Sequence, residues 1–126
     1  EGLIAVIHKQ VSAIQLQQGL VINTTLCEEP DISLDLKFTL YRITQEALHN
    51  IVKHSHASLV EIELICQDDK ISLMIDDNGQ GFDMQLPSPG LGLRSMQERV
   101  AQFHGEIDIH SELGKGTRIT VHLPRD

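Results

Sequence analysis

Asp77 closes a run in which Ile71, Leu73 and Ile75 alternate with polar residues, and Asn78-Gly79-Gln80-Gly81 follows it. A carboxylate at a strand end with glycines beyond it offers an acceptor to an amine such as the N6 of adenine. Gly79 and Gly81 would let a flat ring lie against backbone. Taken alone, Asp77-Asn78-Gly79 is equally a good hairpin turn. Such a turn leads into a partner strand, however, and residues 83–89 carry two prolines and no alternation. Asp76 reads as a solvated neighbour.

Gly90-Leu91-Gly92-Leu93 stands where a helix begins. The unpaired N–H groups of a first helical turn, with the positive end of the helix dipole, can hold phosphate oxygens. A plain loop-to-helix junction is the alternative. The spacing is neither GxxxxGK[ST] nor GxGxxG after a first strand, which excludes those phosphate-binding folds. Gly114-Lys115-Gly116-Thr117 is by itself a credible hairpin turn. Arg42, Glu46, Asn50 and Lys53 recur at helical spacing and form one polar stripe. The stripe is either a solvated helix face or a site for Mg²⁺, which prefers oxygen ligands and retains water. In the second case the Asn50 amide oxygen ligates the metal, Glu46 orients a metal-bound water and Lys53 meets phosphate. Seven histidines are scattered without zinc spacing, so no transition-metal site is expected.

These residues must be positioned by a small number of elements. Apolar residues at helical spacing over 3–16, with Gly19 beyond, predict a helix. The β-branched run 20–26 predicts a strand. Ser33 or Asp35 can cap a second helix whose apolar face (Leu36, Leu40, Ile43, Ala47, Leu48, Ile51) continues to about His54. Residues 59–66 and 71–75 alternate and form a hairpin. Leu93, Met96, Val100 and Phe103 mark a third helix stopped by Gly105, and short strands around Ile107 and from Ile119 to Leu123 end the chain. The order α-β-α-β-β-α-β-β, with helices on a single face, predicts an α+β two-layer sandwich.

A chain of 126 residues, 40% hydrophobic, supports one core, so residues 1–126 are expected to form a single domain cut from a longer protein. The formal net charge of −8 argues against sequence-independent nucleic-acid binding, and the lack of Trp leaves few stacking platforms. An anion must therefore be held by local N–H groups, a lysine or a metal. Cys27 and Cys66 lack CxxC spacing and read as reduced structural thiols of a cytosolic domain. No apolar run is long enough to span a bilayer.

Each motif is weak singly, but their order is specific. Glu46-x-x-x-Asn50-x-x-Lys53-His54, then DNGQG, GLGL and GKGT, resemble the N, G1 and G2 boxes and the GxGT turn of the GHKL ATPase superfamily. YRITQEALHNIVKHSHAS and GLGLRSMQERV look very like the catalytic and ATP-binding domain of bacterial sensor histidine kinases, nearest the nitrate and hexose-phosphate sensors. The resemblance covers essentially the whole chain. It implies the Bergerat ATP-binding fold, a mixed sheet covered on one face by three helices, with ATP and Mg²⁺ as cofactors.

It also implies roles. Asn50 ligates Mg²⁺, Glu46 positions water or assists proton movement, and Lys53 with His54 faces the phosphates. Asp77 binds adenine N6, and Gly79, Gly81, Gly116 and Thr117 line the base pocket. Gly90, Leu91, Gly92 and Leu93 flank the phosphates at the end of a short lid over residues 82–89, without the phenylalanine-bearing box of longer relatives. In this subfamily the phosphoaccepting histidine lies in a dimerising helical hairpin upstream and is followed by an acidic residue. His8 is followed by Lys9 and is not that acceptor. The implied partners are ATP or ADP, the parent's own upstream dimerisation and phosphoacceptor domain, and a response regulator. The isolated domain is expected to be a monomer, and the parent to be anchored in the bacterial inner membrane. An ATP-hydrolysing clamp like DNA gyrase or MutL, and a nucleotide-free interaction module of the same fold, are the alternatives.

Overall fold

The computed structural model describes residues 2–85 and 92–125. The chain runs α1 (Leu3–Gln18), β1 (Val21–Leu26), α2 (Leu34–Asn50), a π-turn (Ile51–Ser55), β2 (Leu59–Cys66), β3 (Lys70–Asp77), α3 (Leu93–Gln102), β4 (Glu106–Glu112) and β5 (Gly116–Pro124). The strands form one mixed sheet in the order β1-β2-β3-β5-β4. β1 pairs in parallel with β2 and the other neighbours are antiparallel. This is the expected α+β sandwich, with three α-helices against one face.

The alternation of the strands explains the layering. Val60, Ile62 and Leu64 on β2, Ile71, Leu73 and Ile75 on β3, and Ile119, Val121 and Leu123 on β5 are buried together with Leu36, Leu40, Ile43, Ala47 and Leu48 of α2 and Met96 and Val100 of α3. The other face of the sheet carries Glu61, Glu63, Thr120 and Arg118. One contiguous core results, and it holds the end of β3 and the start of β5 near the end of α2.

Local chemistry sets the boundaries. Gly19 takes a left-handed φ of 66° and its N–H donates to Gln15 O, which ends α1. The Ser33 hydroxyl accepts from Leu36 N at 3.2 Å and caps α2. The expected single helix to His54 is instead α2 followed by a π-turn, in which Ser55 Oγ donates to Ile51 O at 3.1 Å. Cys27 and Cys66 are free thiols lying side by side where β1 and β2 end, Sγ to Sγ 2.6 Å. Burial, with the Cys66 thiol beside it, pushes the Cys27 thiol up to about 12.

Candidate functional site

Asp77 is the last residue of β3 and faces the core side, as Ile75 does two residues earlier; it is only 6% exposed. Its Oδ1 accepts from Gly79 N at 2.8 Å. Burial raises its pKa; the Gly79 N–H opposes this, Asp76 adds to it, and the Thr117 N–H opposes it. The net direction is upward. A carboxylate so placed is partly supplied with donors and keeps acceptor capacity for a further one.

The chain beyond Asp77 is fastened on both sides. Asn78 Oδ1 accepts from Ser58 N (2.9 Å) and Leu59 N (3.0 Å), and its Nδ2 donates to Ser58 Oγ. Gln80 N donates to Ser55 O at 2.7 Å, and the Gln80 side-chain amide donates to the His54 carbonyl. Residues 78–80 therefore sit directly on the π-turn. On the opposite side, Gly81 (φ 63°) leaves no room for a Cβ beside the Glu112 and Gly116 carbonyls. Gly116 (φ 86°) lies against the carbonyl of Asp77. Three backbones meet here, and only glycine allows both the left-handed φ and the approach.

Between the sheet, the end of α2 and the start of α3 is one cavity of about 200 Å³. Ala47, Ile51, Ile75, Phe82, Leu93 and Ile119 make its apolar walls, and Asn50, His54, Ser55, Asp77, Gln80 and Thr117 its polar groups, with Gly81 between them. An apolar slot with a few fixed polar groups is suited to a heteroaromatic ring. Thr117 stands opposite Asp77 in the β3–β5 register.

Of the residues singled out in the sequence, Asn50, His54, Asp77, Gly81, Leu93 and Thr117 line this cavity. Gly79 and Gly116 form the turns behind it. Glu46 lies one helical turn before Asn50, and its Oε1 is what a Cβ on Gly92 would strike, which places the start of α3 at the Glu46 carboxylate. Lys53 is exposed on the π-turn, outside the lining. Gly90 and Leu91, with the lid residues from 86 onward, lie outside the described residues; at the start of the lid, Gln85 N donates to Asp83 Oδ1 at 2.9 Å.

Sequence reasoning overlooked Ser55, Gln80 and the apolar walls other than Leu93. Most of the walls were accessible to period counting: Ile75 is two residues before Asp77, Ile119 two after Thr117, and Ala47 and Ile51 four apart on the apolar face of α2. It also overlooked Ser111, buried on β4 at 7% exposure, which contacts Thr117. The π-turn has no such periodic signal.

Among the described residues, no group of three or more His, Cys, Asp or Glu side chains is placed to hold a metal ion. A divalent cation at this site would therefore draw most of its ligands from phosphate and water. One amide oxygen at Asn50 and a carboxylate at Glu46 fit that hard-ligand requirement.

The fold and cavity define an α+β sandwich domain with a largely apolar slot between sheet and helices. Residues 36–126 match the family model described as histidine kinase-, DNA gyrase B-, and HSP90-like ATPase, and the chain belongs to that family. ATP is thus the nucleotide. The chain is 40% identical over 98 residues to the sensor histidine kinase LiaS of Bacillus subtilis, covering 77% of this chain and 27% of the relative. It is 39% identical over 98 residues to the histidine-protein kinase/phosphatase UhpB of Salmonella typhimurium, covering 78% and 19%. It is 31% identical over 131 residues to DegS of Bacillus subtilis, covering 98% and 34%. The chain thus spans between about a fifth and a third of these relatives' length. Among solved structures, the histidine kinase domain of the Erythrobacter litoralis EL346 blue-light activated kinase shares the fold at a TM-score of 0.83 and 18% identity, over 98% of this chain and 61% of that one. Acinetobacter baumannii AdeS does so at 0.78 and 21%, over 99% and 66%.

Proposed function

We propose that this domain binds ATP with Mg²⁺ and, within a longer two-component sensor histidine kinase, presents the γ-phosphoryl group to a histidine on a separate helical domain, for relay to an aspartate of a response regulator. The observation that carries this reading is the convergence of Asp77, Asn50 and Leu93, the first residue of α3, on one cavity of about 200 Å³. That volume suits a purine base, with ribose and phosphates extending past His54 and the start of α3.

In this reading the unshared acceptor capacity of Asp77 takes the N6 proton of adenine, and the Gly79 N–H orients the carboxylate and favours its charged form against the effect of burial. Thr117, Gly79, Gly81 and Gly116 complete the base slot. Asn50 lends its amide oxygen to Mg²⁺, Glu46 orients a water of the metal, and His54, Lys53 and the Gly90-Leu91-Gly92-Leu93 segment face the phosphates. Bound there, Mg²⁺ would neutralise charge on the phosphate oxygens. The chain itself supplies positioning, a dry base slot and the N–H donors at the start of α3, as expected of phosphoryl transfer. The phosphoacceptor is assigned to another segment because His8 lacks an acidic successor.

Titration calorimetry with ATP, with and without Mg²⁺, tests the reading. Binding strengthened by Mg²⁺ is expected, and Asn50→Asp should disturb that metal dependence more than binding of metal-free ATP. Incubation with γ-labelled ATP should leave no phosphohistidine on this chain. A labelled histidine here, or no response to Mg²⁺, would contradict the assignment.

A further inference from the structure

A row of hydroxyl and carboxylate groups crosses three strands at the rim of the cavity. Ser111 on β4 is the register partner of Thr117 on β5, and Thr117 is the register partner of Asp77 on β3. The Ser111 hydroxyl accepts from Phe82 N at 2.8 Å, donates to Gly116 O at 3.2 Å, and lies 2.8 Å from Thr117 Oγ1. A serine hydroxyl has one proton and two lone pairs. The Ser111–Thr117 contact admits either hydroxyl as donor; with the Ser111 proton on the Gly116 carbonyl and one lone pair filled by Phe82 N–H, the second lone pair is left for the Thr117 proton. In that arrangement Thr117, which lines the cavity, has no hydroxyl proton left to give to a ligand there.

We infer that Ser111 is a positioning residue for base selection: it fixes Thr117 as a hydrogen-bond acceptor beside Asp77, so that the slot favours a purine with an amine at C6 and rejects one with a carbonyl there. The inference rests on the adenine reading above and adds its specificity device. An amine at C6 is a donor and meets two acceptors. A carbonyl at C6 meets the Asp77 carboxylate and the Thr117 lone pairs with a third set of lone pairs, and a site with mismatched buried polar groups discriminates strongly. Without the Ser111 hydroxyl, Thr117 is free to turn and donate to that carbonyl.

The test compares ATP with inosine triphosphate, which differs only in the C6 carbonyl and its accompanying N1 proton. Affinities of both for wild type, Ser111→Ala, Thr117→Val and the double variant are measured by calorimetry. Ser111→Ala is expected to compress the ATP-to-inosine-triphosphate preference by about three- to tenfold, the equivalent of one hydrogen bond. In the Thr117→Val background the same change should leave the ratio unaltered. Ser111→Thr, which keeps a hydroxyl and suits a strand, should restore the ratio. Ser111→Cys, which nearly keeps the volume but offers only a weak S–H donor, should compress it and serves if the alanine variant does not fold. Equal loss of both nucleotides, with the ratio unchanged, would show a merely structural serine and overturn the inference alone. Failure of the wild-type domain to bind ATP would overturn the adenine reading, and this inference with it.

Discussion

As the proposed acceptor for the base, Asp77 would trade stability for recognition. Its carboxylate is buried at the end of a core strand, and burial holds its pKa above the usual value. The sign follows: the fold favours the protonated form, so the favourable contribution is complete below the unfolded value of 3.8 and is lost as pH rises through the higher folded one. At neutral pH an ionised Asp77 therefore costs stability. Asp77→Asn, which can still accept from the Gly79 N–H, should give a domain at least as stable as wild type at pH 7, with a flatter stability profile on the acid side. Urea unfolding between pH 3 and 7 measures this, and a clear loss of stability at pH 7 would count against the burial argument. Gly81 and Gly114 make a complementary pair, both at positive φ. A Cβ at Gly114 meets nothing within 4 Å, whereas at Gly81 it meets backbone carbonyls. Gly114→Ala should cost about 1 kcal/mol of backbone strain, and Gly81→Ala clearly more, because the DNGQG and GKGT turns must separate.

At the scale of elements, α2 and its π-turn do the positioning. α2 is capped by Ser33 far from the cavity, so Ser33→Ala should lower stability by about 1 kcal/mol in urea unfolding without changing the affinity for ATP. The strands and α-helices were legible in the sequence because their cores are periodic: Val60, Ile62 and Leu64 alternate, and Leu36, Leu40, Ile43 and Ala47 recur at helical spacing. Glycine and proline marked the ends. The π-turn was not legible, because a widened turn is decided by how Ser55 and Gln80 meet across the fold and not by local sequence. Its consequence is specific, since a continuous α-helix would keep Lys53 in the stripe with Asn50, whereas here His54 lines the cavity and Lys53 stands outside it. Of the candidate site, Asp77 and Asn50 were readable from residue type and placement, and Thr117 only through the family resemblance. Ser111 was not, because its part depends on a register that brings β4 beside β5. The Cys27 and Cys66 pair belongs to the opposite end of β1 and β2. With the Cys27 thiol held near 12, native protein at pH 8 should be alkylated by iodoacetamide much more slowly at Cys27 than unfolded protein, as peptide mass spectrometry would show.

For the molecule as a whole, the formal net charge of −8 gives no general attraction for an anionic nucleotide, so binding must come from the cavity and its few N–H groups. A single core, continuous from α1 to β5, also means that nucleotide binding should stabilise the domain as one unit. ATP with Mg²⁺ at a hundred times its dissociation constant adds about 2.7 kcal/mol, enough to raise Tm by roughly 10 °C in a domain of this size. The most direct test of the account is calorimetric titration of ATP with Mg²⁺ into wild type and Asp77→Asn side by side. Loss of a charge-assisted hydrogen bond, about 1.5–3 kcal/mol, predicts at least a tenfold fall in affinity in a variant that remains fully folded. Equal affinity in the two proteins would mean that Asp77 does not read the base, and that the cavity has been assigned the wrong ligand.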